Sequence, residues 1–124
     1  MGTKAMRAGI TGIVLLAGLC VCDVAQAKPE TWVASAYCSC QRCCGKTDGI
    51  TASGKQAKRG TVAVNWLPFG TRLMVNGAMY RVEDRGAKSH FGSCTDRRKR
   101  LDIWFPSHRE ALEWGKRQVT VEVL

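Results

Sequence analysis

Beyond residue 30 the chain runs in short bursts of apolar and polar positions that alternate with a period of two and are punctuated by glycine. Trp32 to Tyr37, Thr61 to Val64, Thr71 to Val75, "AMYRV" from Ala78, "LDIWF" from Leu101 and "VTVEV" from Val119 each read as a strand. In the last of these, Val119, Val121 and Val123 share one face. Asn76-Gly77 separates "TRLMV" from "AMYRV", and Asn-Gly is the preferred pair for a two-residue turn that needs positive φ at both positions, so a hairpin is predicted there. One segment has a helical pattern instead. Ser107 and Glu110 stand at capping-box spacing after Pro106, Ala111, Leu112 and Trp114 supply an apolar face, and Gly115 can end the turn, which predicts a helix over about 107–115. The fold class that follows is mostly β, a small barrel with one short helix.

The first 27 residues have a different pattern. Lys4 and Arg7 precede an apolar run from Ile10 to Val24, and Ala25-Gln26-Ala27 is the small-x-small sequence that signal peptidase reads. The run is shorter than the roughly 20 residues needed to span a bilayer. Cys20 and Cys22 follow Leu19 and Val21 rather than the small residue that precedes a lipid-modified cysteine. A signal peptide over 1–27 and one domain over 28–124 are therefore expected, in a protein that is secreted, periplasmic or cell-wall associated, with no stable membrane insertion. Cleavage removes Lys4, Arg7 and Asp23 and leaves 17 basic and 9 acidic side chains, a net charge of +8. Such a charge suits a polyanion: anionic wall polymer, phospholipid head groups or nucleic acid.

A secreted domain of this size buries little apolar surface and commonly relies on disulfides. Cys38, Cys40, Cys43, Cys44 and Cys94 follow the leader. The C-x-C-x-x-C-C spacing resembles a metal-ligand set that Cys94, His90 or His108 could complete. In an oxidising compartment thiolates tend to be captured as disulfides first, so the expectation is structural disulfides among these five, including a tether to Cys94, with no metal and no cofactor. A bond between the adjacent Cys43 and Cys44 would be strained. His108, just after the helix cap, reads as solvated, and His90 as a loop residue. "GITASGKQ" falls short of a phosphate-binding loop because Gln56 stands where Ser or Thr must reach the magnesium ion.

Two carboxylates stand at the ends of apolar segments. Asp84 ends "YRVED" just before Gly86, and Asp102 lies between Leu101 and Ile103 in "LDIWF". Desolvation in such a setting raises a carboxyl pKa, and a protonated carboxyl is what cleavage of a glycosidic bond needs. The competing reading for Asp102 is a structural hydrogen bond or an ion pair with Arg97, Arg98, Lys99 or Arg100.

Taken in order, "ASAYCSCQRCCGKTDGITASG", "GTVAVNWLPFGTRLMVNG", "YRVEDRG", "RLDIWFPSHREALEWG" and "VTVEVL" resemble the 3D domain, a family named for three aspartates. It occurs in the catalytic part of membrane-bound lytic transglycosylase A and in secreted stationary-phase and resuscitation-related wall proteins. The resemblance covers about residues 32 to 124 and implies a six-stranded double-psi β-barrel, a fold shared with rare lipoprotein A and expansin-like proteins. It further implies a monomer that acts on peptidoglycan glycan strands rather than nucleic acid, and a lytic transglycosylase reaction. Cleavage between N-acetylmuramic acid and N-acetylglucosamine would leave a 1,6-anhydro ring. Asp102 matches the family's catalytic aspartate and Asp84 its orienting partner, while Thr51 and Ser53 match the "TASG" segment of the groove and Arg85 and Asn65 join the substrate-binding set. The chain departs from the family at Asn65, which stands at the third aspartate position and has no charge to tune Asp102. It departs again in the 17 residues between Asp84 and Asp102, where "SHFGSCTDRRKR" replaces a short glycine-rich link. The alternative function is a non-catalytic, expansin-like wall-binding module, which Asn65 favours.

Overall fold

The alternation becomes strand register in a computed structural model that describes residues 28–124. The strands are β1 (Glu30–Tyr37), β2 (Thr61–Ala63), β3 (Arg72–Val75), β4 (Ala78–Asp84), β5 (Arg100–Trp104) and β6 (Arg117–Val123). They close into a barrel in the order β1-β5-β2-β4-β3-β6. The pairs β1–β5 and β2–β4 are parallel, and the other four contacts are antiparallel. All six expected strands are present. The leader expected over 1–27, with Cys20 and Cys22, lies outside the described residues. Among the described residues no helix is long and apolar enough to cross a membrane.

Because successive side chains of a strand point to opposite faces, one set fills the barrel and the other faces outward. Trp32 and Ala34 of β1, Val62 of β2, Leu73 and Val75 of β3, Val82 of β4, Leu101 and Ile103 of β5, and Val119 and Val121 of β6 form the core. Trp66 closes one side of it, its ring 5.8 Å from that of Trp32. The hairpin between β3 and β4 turns at Asn76 and Gly77, with φ of 50° and 83°, the double positive φ that the Asn-Gly pair predicts.

Among the described residues three short helices sit in the connections. α3 (His108–Trp114) is the expected one: the Ser107 hydroxyl accepts a hydrogen bond from the Glu110 amide at 3.1 Å, and Gly115 follows with φ of 68°. The other two correct the expectation of a single helix. α1 (Gln41–Cys44) is capped by the Cys40 side chain and stopped by Gly45 at φ 73°, and α2 (Lys88–Phe91) is stopped by Gly92. Each is one turn of four residues, too short to express a 3.6-residue period, so only its caps could reveal it.

The division between core and outer face has a measurable consequence. Leu101→Ala, at a fully buried position, should lower unfolding free energy by about 2–5 kcal/mol in denaturant titrations. Leu112→Ala, at a position 67% exposed, should change it by no more than about 0.5 kcal/mol.

Candidate functional site

On the outer face, four strands line up in one row. Ser35 of β1 is in register with Asp102 of β5, Asp102 with Ala63 of β2, and Ala63 with Asp84 of β4. Partners in register share a face, so both aspartates lie on the same side of the wall, two strands and roughly 10 Å apart in the backbone. A β-bulge makes this possible. Val62 pairs with Val82 but Ala63 pairs with Asp84, so Glu83 is skipped. The Glu83 carbonyl instead accepts the Ser53 amide at 3.1 Å, which ties the 49–57 loop to the barrel. Ala63, with only a methyl group, leaves open space between the two acids.

That space is the floor of a cleft of about 500 Å³. One wall is the segment after β1, with Cys43, Cys44, Lys46, Ile50, Thr51 and Ala52. The other is the segment after β4, with Arg85, Gly86, Ala87, His90 and Phe91, and Tyr37 and the two aspartates complete the floor. Gly86 is required by the second wall, because a Cβ on it would overlap the Phe91 ring.

The two carboxylates differ in their partners. Asp84 is engaged as an acceptor on both oxygens: the Tyr37 hydroxyl donates to Oδ2 at 2.6 Å, and the amides of Ala52 and Arg85 donate to Oδ1 at 2.9 Å each. Burial, followed by the bond to Asp84, holds the Tyr37 phenol above its ordinary pKa, so Tyr37 remains a donor. Asp102 receives one hydrogen bond, from the Ser35 hydroxyl to Oδ1 at 3.2 Å. Burial raises its pKa to about 6, against the lowering effects of Ser35 and of the Arg100 charge, and Asp84 adds a smaller raising effect. Leu101 and Ile103 do not cause that burial, since both point into the barrel core; the cleft and its flanking loops do.

Among the described residues none of the four neighbouring cations forms an ion pair with Asp102. Arg98 pairs with Asp96 at 2.8 Å and Lys99 with Glu30 at 2.7 Å, while Arg97 lies over Trp66 and Arg100 over Phe91.

The remaining sequence candidates divide. Arg85 lines the cleft with its guanidinium held over the Phe69 ring and bonded to the Val64 carbonyl at 2.7 Å. Thr51 lines it too, though its hydroxyl is occupied within its own loop by Ser53 and by the Lys55 backbone. Ser53 braces that loop from behind. Asn65 is buried with its amide wholly occupied by backbone: Nδ2 donates to Gly86 O at 3.0 Å and Gly92 O at 2.6 Å, and Oδ1 accepts the Gly86 amide at 2.7 Å. Ser35, Tyr37 and Ala63 carry no signal of a site in the sequence, and His90, a loop residue there, lies on the cleft wall. Alternation in β1 places Ser35 and Tyr37 opposite Trp32 and Ala34, but their meeting with the aspartates depends on a parallel pairing 67 residues distant, as in the Ser35–Asp102 bond.

The cysteines correct an expectation. Among the described residues Cys38, Cys40, Cys43, Cys44 and Cys94 are all free of one another, and Cys94 is exposed, so neither the disulfides expected among the five nor the tether forms. The turn of α1 gathers Cys38, Cys40 and Cys43 around Nδ1 of His108, at 3.7, 3.5 and 3.5 Å, instead of pairing them. Cys38 Sγ and Cys43 Sγ are 3.7 Å apart, far beyond the about 2.05 Å of a disulfide. His108 is therefore not the solvated residue its position after the helix cap suggested.

Two predictions follow from this geometry. A raised folded-state pKa means that folding favours protonated Asp102, so its stabilising effect is full below the unfolded value of 3.8 and is lost as pH rises through about 6. Relative to Asp102→Asn, wild-type unfolding free energy should fall by on the order of 3 kcal/mol over that window, the difference between the two profiles isolating this one group from carboxylates of opposite slope such as Glu30 and Asp48. Asn65→Asp replaces two donated hydrogen bonds by repulsion between a carboxylate and two carbonyls. It should cost about 2–5 kcal/mol at neutral pH in the same titration, with partial recovery at acid pH, where the carboxyl can donate once. The chain matches no protein-family model and no curated protein.

Proposed function

We propose that the protein is a peptidoglycan lytic transglycosylase of the 3D-domain type, exported to the cell wall, with Asp102 as its single acid/base. One observation carries this reading. Asp102 is a desolvated carboxyl, without an ion-pair partner among the described residues, on the floor of an open cleft, and its pKa of about 6 lets it exist in both protonation states near neutral pH. The mixed pairing of the barrel, two parallel pairs among antiparallel ones, supports the double-psi form of the fold.

In the reaction, protonated Asp102 donates to the oxygen that links N-acetylmuramic acid to N-acetylglucosamine, and that C–O bond breaks. The carboxylate left behind takes the proton from the muramic 6-hydroxyl, whose oxygen bonds to the anomeric carbon and closes the 1,6-anhydro ring. Asp102 ends as it began, and no water is consumed. The scheme needs one titrating acid and no second nucleophilic carboxylate, which agrees with an Asp84 whose oxygens are already engaged by three donors. Asp84 instead holds Tyr37 and the 51–52 turn in place beside the reacting group. Arg85 on one wall supplies positive charge for the lactyl and peptide carboxylates of the substrate, whereas Lys46 on the other is already paired with Asp48 at 3.1 Å.

The neutral Asn65 bears little on this chemistry. Its amide is turned into the protein to hold Gly86 and Gly92, so it braces the wall and contributes no charge to the cleft.

Digestion of purified peptidoglycan should yield muropeptides one water lighter than hydrolysis products by mass spectrometry. Asp102→Asn should reduce their rate at least about 1000-fold while leaving sedimentation with the wall intact. The rate of the wild type should fall as pH rises through about 6, as the donor form of Asp102 is lost. Wall binding without any anhydro product would overturn the enzyme reading in favour of a binding module.

A further inference from the structure

We propose that Cys38, Cys40, Cys43 and His108 form a structural zinc site that fastens the cleft wall after β1 to the start of α3. Their four donor atoms lie within 4.8 Å of one another. A tetrahedral zinc ion, with bonds of about 2.3 Å to sulfur and about 2.0–2.1 Å to nitrogen, sets its donors roughly 3.8 Å apart for sulfur pairs and roughly 3.6 Å apart for sulfur and nitrogen. The distances here are 3.7 Å between Cys38 Sγ and Cys43 Sγ, and 3.7, 3.5 and 3.5 Å from the three sulfurs to His108 Nδ1. These fit four of the six edges of a coordination tetrahedron, the other two lie within 4.8 Å, and 3.7 Å between Cys38 and Cys43 is no disulfide.

The local chain is built for the same end. Three cysteines reach one point because Cys40 caps α1, whose single turn brings Cys43 back beside it, and Gly45 in the left-handed region ends the turn. The Cys43 amide points at Cys40 Sγ at 3.4 Å, the outer-shell bond that a metal-bound thiolate commonly accepts. His108 arrives from the far end of the chain, fixed at the first position of α3 by the Ser107 cap. Cys44 is directed away, its sulfur on the Cys38 carbonyl at 3.1 Å, so the set is three thiolates and one imidazole. Such soft donors select zinc over calcium or magnesium, and four protein ligands leave no open position for a substrate, which makes the site structural.

Position gives the site its consequence. Cys43 itself lines the cleft, and Lys46, Ile50 and Thr51 follow within the same wall. Binding free energy at a structural zinc site is folding free energy, so an ion here would hold that wall to the helix behind it. The site stands independently of the reaction assigned to the cleft, since a negative digestion assay leaves the metal measurement unaffected.

The test uses the purified full chain, handled without chelator or added thiol and without oxygen. Elemental analysis should find one zinc per chain that survives gel filtration, and a mercurial thiol reagent should release it. Cobalt in place of zinc should give the thiolate charge-transfer band and the intense visible bands of a tetrahedral site. Cys43→Ser and His108→Ala should each weaken zinc binding by more than the about 10–100-fold that loss of an outer-shell partner costs, whereas Cys94→Ser should retain it. Should either ligand variant fail to fold, the cobalt spectrum of the wild type still decides. Zinc-free protein that takes up no cobalt after reduction, a disulfide mapped between any two of the three cysteines, or zinc lost on Cys94→Ser would overturn the proposal.

Discussion

The position of Ala63 between two strands is the constraint on which the candidate site depends. On one side it is in antiparallel register with Asp102 and on the other in parallel register with Asp84, and the second pairing exists only because the ladder skips Glu83. Without that bulge Glu83 would stand beside Ala63, and Asp84 would move to the level of the buried Val64, with its carboxylate turned toward the barrel interior. The bulge therefore sets which acid reaches the outer face. It also frees the Glu83 carbonyl to anchor the loop that carries Thr51 and Ala52.

The loops around the cleft are held by polar side chains rather than by apolar packing. Asp84 draws the 51–52 turn to the end of β4 through the Ala52 amide, and Asn65 draws the segment after β4 inward through Gly86 and Gly92. Each replaces a secondary-structure ladder where none can form, and the Asn65 bonds also satisfy buried or part-buried backbone groups of Gly86 and Gly92. The Phe91 ring then packs against the bare Cα of Gly86, so one wall of the cleft rests on a glycine and a phenylalanine of its own segment and on an asparagine 21 residues before that glycine.

The parts of this arrangement that depend on near neighbours could be read from the chain. Period-two alternation identifies all six strands, and Asn76-Gly77 and the Ser107 cap mark the hairpin and α3, because each is decided within a few residues. Asp102 stands out as a carboxyl in an apolar strand, yet the stated reason was incomplete: its flanking Leu101 and Ile103 face the core, and burial comes from loops that only the closed barrel brings near. The bulge at Glu83 and the meeting of Ser35 with Asp102 have no local signal, as both depend on parallel pairing across long separations. The chemistry of an oxidising compartment points the cysteines toward disulfides, but it holds no information about geometry. What mattered was the approach of His108 from a helix more than sixty residues away, as its 65-residue separation from Cys43 shows.

The two faces of β5 separate two kinds of demand. Leu101 and Ile103 answer only to the volume of the barrel interior, and Asp102, between them, answers only to the cleft. The same holds on β2, where Val62 faces in and Ala63 faces out. Apolar replacements that keep the interior full could thus accumulate through lineages without disturbing the acid, and the lining of the cleft could change while the barrel stays unchanged. Only the register that joins the faces would resist drift, since a slip of one residue exchanges them.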